Sequence, residues 1–194
     1  MNKRPHSVGW FSSYDRGLDV LLSDAVWPKI VAAVPDVTLD VAYGWNTFDS
    51  FHKENPERMK WKWNLIRKFN QYDVVEHGRL SHTELAELMK EVQVLAYPTS
   101  FSEIDCITVK KALAAGIDVV SSGMAALQES IWCKDEEDIE DIHDKPEKLE
   151  EFANRVIESL LNPISDEKRE EIAKETIKRY DWALIAQKWD KALR

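Results

Sequence analysis

The sequence predicts an α/β domain: a single doubly wound parallel sheet with helices on both faces and a helical carboxyl-terminal tail. Three observations lead there. Short β-rich apolar runs alternate with segments of helical period, as in a parallel sheet wrapped by helices. Each run stops at Gly, Ser, Pro or another turn former. Past residue 134 the strand signals cease and only helical stripes follow. At ~150 residues per domain, 194 residues make one domain, with 1–134 as the α/β core and 135–194 as appended helices.

The predicted strands are Ser7 to Ser12, Val37 to Tyr43, Asp73 to Glu76, Gln93 to Tyr97 and Ile117 to Ser121. Between them, Leu18, Leu21, Leu22 and Ala25 recur at i, i+3, i+4 and i+7, as do Leu85, Leu88, Met89 and Val92, and these are the crossover helices. Trp61 and Trp63 lie in a third helical stretch, Glu57 to Phe69. There the apolar side chains form two arcs, Met59, Trp63 and Ile66 against Trp61, Leu65 and Phe69. Such a helix is buried on two sides or offers a contact surface to another domain. The acidic run Asp135-Glu136-Glu137-Asp138 leads to Pro146, a helix start. Leu149, Phe152, Val156 and Leu160 stripe that helix, Asn162-Pro163 breaks it and Ser165 caps the next. Trp182, Ile185 and Trp189 stripe the last. Most of the eight tryptophans are expected in the core or facing another domain.

The net charge of −9 excludes broad binding of nucleic acid or anionic membranes. It is uneven: residues 1–80 hold 11 basic and 10 acidic side chains, residues 81–194 hold 15 and 25, so an anionic ligand meets the first half. Cys106 and Cys133 form no CxxC pair, which fits a reducing compartment. The first residues lack the apolar core of a signal peptide, and no apolar run reaches the ~18 residues of a transmembrane segment. A cytoplasmic protein is expected.

In open parallel sheets ligands bind outside the carboxyl ends of the strands, so the loops there are read for chemistry. After the first strand come Ser12-Ser13-Tyr14-Asp15-Arg16-Gly17-Leu18. Backbone amides here suit a phosphate, with Arg16 as a fork-shaped partner. The same residues also suit an ordinary turn with a surface Arg. They match neither GxGxxG nor a Walker loop. After the fourth strand come Tyr97-Pro98-Thr99-Ser100-Phe101-Ser102-Glu103-Ile104-Asp105-Cys106. Ser102 with Asp105 reads as a capping box that makes Glu103 a first-turn acid. The other reading puts the Glu103 carboxylate at the sheet edge, accepting hydrogen bonds from sugar hydroxyls beside helix amides free for a diphosphate.

Pro98-Thr99-Ser100-Phe101-Ser102-Glu103, followed by Lys111-Ala112-Leu113-Ala114-Ala115-Gly116-Ile117-Asp118-Val119-Val120, resembles the sugar-donor signature of retaining family-4-type glycosyltransferases of the GT-B fold. Arg16-Gly17-Leu18-Asp19 is similar to their K-G-hydrophobic-D turn. Gly78 to Leu88 and the tail Tyr180-Asp181-Trp182 with Gln187-Lys188-Trp189 are similar to two further segments of the same proteins.

The resemblance spans nearly the whole chain but only the donor-binding half, one Rossmann-like domain of a GT-B fold. It implies transfer of a hexose from a UDP- or GDP-linked nucleotide sugar, with an amino-terminal acceptor-binding domain in the same chain or a partner chain. Glu103 would be the catalytic residue and hold donor-sugar hydroxyls. Arg16, with Gly17, Ser12 and Ser13 of its turn, and the amides of Ile104, Asp105 and Cys106 would hold the diphosphate. Arg79 and Leu80 would flank the base. No cofactor or metal is implied, since basic groups and helix dipoles neutralise the leaving nucleotide.

Three positions depart from the family. Lys111 stands where a Glu grips the ribose, and it can donate but not accept. It can instead neutralise phosphate or turn outward. Phe11 replaces a basic residue five positions before Arg16. Ala125-Ala126-Leu127-Gln128-Glu129 stands where the family has Gly-Gly before a Glu. A non-catalytic nucleotide-sugar-binding or interaction module is therefore the alternative function. Other chemistry is weaker: Cys106 as a nucleophile needs a His, and His82 is the nearest loop candidate, while a small residue buried at a helix start explains it as well. Glu140, Asp141, His143 and Asp144 have no ligand spacing and read as a solvated surface.

Overall fold

A computed structural model describes residues 2–99, 101–123, 125–129 and 145–194. The acidic run from Asp135, the cluster Glu140 to Asp144, and Cys133 lie outside them. Five parallel strands form one sheet in the order β3-β2-β1-β4-β5. They are β1 (Ser7–Trp10), β2 (Thr38–Val41), β3 (Val75–Glu76), β4 (Val94–Tyr97) and β5 (Asp118–Ser121). In register, Val8 faces Leu39 on one side and Val94 on the other, and Leu95 faces Val119. β1, β4 and β5 are buried throughout, as strands covered on both faces are. Each predicted strand is present, one to three residues shorter than expected, because its end residues leave the ladder for turns. Trp10 Nε1, for example, donates to the Ser12 carbonyl at 2.8 Å as the chain leaves β1.

The helix expected from Leu18 to Ala25 ends at Leu21, and a second, unexpected helix follows it. After a 3-10 turn at Tyr14–Arg16, α1 (Leu18–Leu21) stops in a turn in which Ser23 N bonds Val20 O and Val26 N bonds Ser23 O. The next helix, α2 (Trp27–Ala33), restarts with a proline in its first turn, where no amide donor is missed. Downstream, α3 (Asn46–His52) and α4 (Pro56–Gln71) follow β2, with Asn55 capping α4 through Glu57 N and Arg58 N. Of the two arcs of α4, one is the core face: Leu65 and Phe69 are buried and Trp61 half-buried, while Trp63 is exposed. A Ser81–Glu84 capping box opens α5 (His82–Glu91).

The remaining helices are α6 (Ile107–Ala114), α7 (Pro146–Leu161), α8 (Asp166–Tyr180) and α9 (Trp182–Leu193). Pro146 begins α7 and Ser165 caps α8, both as the sequence predicts. α7 buries Phe152, Val156 and Leu160 against α2, β4 and β5, and α8 packs on α6. Gln93, buried at the start of β4, donates to the carbonyls of Ser159 and Leu160, both at 2.9 Å, and so satisfies the last turn of α7. α9 departs from expectation. It touches α8 but buries no residue, and Trp182 and Trp189 of its stripe face solvent. Only Trp10 and Trp27 are fully buried among the tryptophans described. No helix among the described residues is long and apolar enough to cross a membrane.

Lys3 locks the amino terminus beneath the sheet by donating to Met89 O at 2.9 Å and Ala115 O at 2.8 Å, at the carboxyl ends of α5 and α6. Burial, and then the nearby Arg169 charge, lower its pKa from 10.5 to about 8. Above pH 8 the folded chain releases this proton while the unfolded chain keeps it up to about 10.5, so raising the pH across that window adds to stability. Urea unfolding of the parent and of Lys3→Met at several pH values from 7 to about 10.5 should show the parent gaining stability relative to the variant, starting near pH 8. A constant difference across the series would contradict this.

Candidate functional site

The strand order reverses between β1 and β4, so the loops leaving their carboxyl ends diverge and open a crevice. The β1 loop supplies Ser12, Ser13, Arg16 and Gly17, and the β4 loop supplies Pro98, Thr99 and the residues from Phe101 to Cys106. Gly17 sets how closely the two approach. Its φ is +122°, and a Cβ there would lie 2.3 Å from the Pro98 carbonyl oxygen. Only a residue without Cβ fits this contact, so Gly17 is explained by packing.

This approach brings Arg16 onto Glu103. Arg16 Nη1 donates to both carboxylate oxygens, at 3.1 and 3.2 Å, and the guanidinium lies 4.1 Å over the Phe101 ring. Glu103 is 6% exposed and accepts a third hydrogen bond, 2.7 Å, from the Tyr97 hydroxyl. Tyr97 is itself fully buried against Trp10 and lies 3.2 Å from Ser12 Oγ. A buried carboxylate is costly unless paired and hydrogen-bonded, and this one is both. Burial chiefly, then the charges of Cys106 and Glu103, raise the Tyr97 phenol and keep it a donor. Partial burial lowers the Arg16 pKa, but Glu103 and Tyr97 outweigh that and raise it.

The capping box expected at Ser102 and Asp105 does not form. α6 begins at Ile107 with Cys106 as its N-cap, and no side chain caps it. Turning the Glu103 carboxylate inward holds the preceding residues out of the helix, so Glu103 is a loop residue and not a first-turn acid. The amides without an intrahelical partner at this helix start run from the N-cap Cys106 to Val109, and Ile104 and Asp105 lie in the loop before it. Ile104 is almost wholly exposed, Asp105 pairs with Lys110, and Cys106 is buried. Thr108 Oγ1 donates to the Phe11 carbonyl at 3.1 Å, which places this helix end beside the β1 loop.

Other predicted residues stand apart from the pair. Ser13 Oγ donates to Asp15 at 2.7 Å. Arg79 and Leu80 line a separate hollow of about 330 Å³ with Phe11, Ala42, Tyr43 and His82. Lys111 does not join Glu103. Its Nζ lies 3.2 Å from His82 Nδ1, in the groove between α5 and α6. The His82 ring thus faces a lysine. Ala125 has a φ of +52°, a conformation that favours glycine, and the next amide, of Ala126, donates to the Glu103 carbonyl at 3.1 Å. Sequence reasoning missed Tyr97 and Phe101. The one available signal was a tyrosine ending an otherwise apolar strand. Among the described residues no group of His, Cys, Asp and Glu is arranged to hold a metal ion.

A single all-parallel sheet of five strands wrapped by helices defines a Rossmann-like α/β domain. No protein-family model matches the sequence, and no curated protein matches it. Solved structures do. The chain is similar to the pneumococcal O-GlcNAc transferase GtfA in complex with UDP and GlcNAc, at TM-score 0.70 and 14% identity, covering 98% of this chain and 36% of that one. It is similar to Anabaena HepE in complex with UDP and glucose, at TM-score 0.69 and 18% identity, over 97% of this chain and 48% of that one. The catalytic domain of cholesterol-alpha-glucosyltransferase from Helicobacter pylori aligns at TM-score 0.57 and 17% identity, over 91% of this chain and all of that one. The chain therefore has the fold of one Rossmann-like half of a GT-B glycosyltransferase, and it spans between a third and a half of the first two proteins.

Gly17→Ala should cost roughly 2–4 kcal/mol, because the added methyl meets backbone and the backbone angle is strained. Denaturant unfolding checks this, and a change near zero would mean the two loops are not in contact.

Proposed function

We propose that this chain is the donor-binding half of a retaining glycosyltransferase that takes a hexose from a UDP- or GDP-linked sugar. The observation that carries the reading is the meeting of Arg16 and Glu103 at the switch point. One is a fork-shaped cation suited to a diphosphate, the other a buried carboxylate suited to sugar hydroxyls. On binding, the diphosphate takes the place of Glu103 on Arg16 and meets the orphan amides of α6. Glu103, still held by Tyr97, accepts hydroxyls of the sugar. The base enters the hollow beside Arg79 and Leu80. Arg16 and the helix amides offset the charge that builds on the leaving nucleotide, so no metal is required.

Transfer also needs an acceptor held in reacting geometry and water kept out, which one sheet edge does not provide. We assign that role to an amino-terminal acceptor-binding domain, in the same chain or a partner, acting with this half in the cytoplasm. The isolated chain should bind donor and transfer nothing. Lys111 favours a second reading, a nucleotide-sugar-binding module without catalysis, because it brings an ammonium and not a carboxylate, and spends it on His82.

Calorimetric titration with UDP-glucose, UDP-GlcNAc, GDP-mannose and free UDP tests the proposal. One of these should bind, and Arg16→Ala should weaken it about tenfold or more, the worth of a charge-assisted contact. Glu103→Ala should weaken the sugar conjugate more than free nucleotide, since the variant loses the sugar contact while releasing Arg16. The reading fails if none binds, or if both variants bind like the parent.

A further inference from the structure

A second hollow, of about 280 Å³, adjoins the Arg16–Glu103 pair on its β2 side. Its walls include Tyr43 from the loop after β2, Thr47, Phe51 and His52 of α3, and Phe101 with Arg16 from the loops at the switch point. Three aromatic rings around it are open to solvent: Tyr43 is 41% exposed, Phe51 78% and Phe101 47%. Such exposure does not come from a loose α3. The helix is anchored beneath by Phe48, whose ring stacks 5.3 Å from Trp61 and meets Trp45 edge-on at 5.6 Å. Phe51 projects from the same short helix without contributing to that cluster, so the fold does not need its ring.

Ser13, Asp15 and Arg16 of this wall are already paired, but three further polar residues are not. The Tyr43 hydroxyl, the Thr47 hydroxyl and the His52 ring nitrogens have no hydrogen-bond partner among the described residues. An apolar occupant would leave these groups unpaired, and a wholly polar one would leave the rings wet. A pyranose matches both, with a C–H face to lie on an aromatic ring and hydroxyls around its rim to meet donors and acceptors. The hollow is at the small end of ligand sites, which suits a sugar ring better than a nucleotide. Its position adds the rest. Arg16 and Phe101 belong both to this hollow and to the proposed donor centre, so a sugar held here lies beside the groups that hold the diphosphate.

We propose that this hollow is a carbohydrate subsite, receiving a sugar ring of the acceptor on the donor-binding half itself, with Phe51 as its stacking platform. The assignment to an acceptor rests on the donor-site reading above; the binding of a sugar ring does not. Protein-observed NMR with methyl β-D-glucopyranoside and with N-acetylglucosamine, each with and without saturating UDP, tests it. Saturable shifts at Phe51 and His52, which do not line the hollow proposed for the base, are expected, and they should persist when UDP is present. Phe51→Ala should weaken glycoside binding fivefold or more, and Phe51→Tyr, which keeps the platform, should restore it. UDP binding should be equal in all three proteins.

The subsite is overturned if neither glycoside gives saturable shifts at these residues, if Phe51→Ala binds as the parent does, or if UDP competes the glycoside away. Should the parent fail to bind UDP while still binding the glycoside through Phe51, the donor reading falls and the carbohydrate subsite stands. Loss of association with a protein on Phe51→Ala, without any glycoside binding, would mark the surface as a protein contact and also overturn the proposal.

Discussion

The buried carboxylate of Glu103 is the constraint on which the carboxyl edge of this domain depends. It lies out of water and is stable there only because the Tyr97 hydroxyl and the Arg16 guanidinium both serve it. Much of the local geometry follows from that. The β4 loop must turn inward, so α6 starts at Ile107; Phe101 is left to lie under the Arg16 guanidinium; and the Glu103 carbonyl is available to the Ala126 amide from the loop after β5. Three loops from three strands are thereby joined through one residue. Gly17 permits the joining, because without a Cβ it lets the β1 and β4 loops meet backbone to backbone.

One nitrogen of Arg16, Nη1, is committed to both oxygens of Glu103, which has a chemical consequence. An anion that takes Nη1 of Arg16 displaces Glu103, which then keeps its Tyr97 hydrogen bond and gains from a further donor such as a sugar hydroxyl. A ligand carrying both a diphosphate and hydroxyls compensates both halves of the broken pair, whereas a bare phosphate compensates only one. Selectivity for a sugar conjugate over its free nucleotide can thus arise from the ion pair itself, without any additional contact.

Around this edge the domain is asymmetric. On the β2 side, Tyr14, Trp45, Phe48, Trp61 and Phe69 pack largely edge-to-face, and Arg58 and Lys62 lie over their rings. This cluster makes a rigid floor for α3 and explains how exposed aromatic rings can be held in fixed positions above it. At the far end, α7 is bound into the core while α9 lies on α8 with its tryptophans in solvent. An amphipathic stripe states that a helix has an apolar face. It does not state whether this chain covers that face.

What the sequence determined by itself was the succession of the five strands, their parallel sense, the starts of α7 and α8, and the two loops that meet at the switch point. These are short-range properties: periodicity, caps and turn formers act within a few residues, and crossover handedness turns their order into a sheet. What only the tertiary structure decided was the pairing of side chains distant in sequence. Arg16 meets Glu103 across 87 residues, while Lys111 turns from that pair to His82. The Ser102–Asp105 capping signal was locally sound, and it lost because pairing a buried carboxylate with an arginine and a tyrosine outweighs one helix cap of about 1 kcal/mol. The break of the first crossover helix after Leu21 and the exposure of α9 were decided in the same way, by what the rest of the molecule brought, or failed to bring, against an amphipathic face.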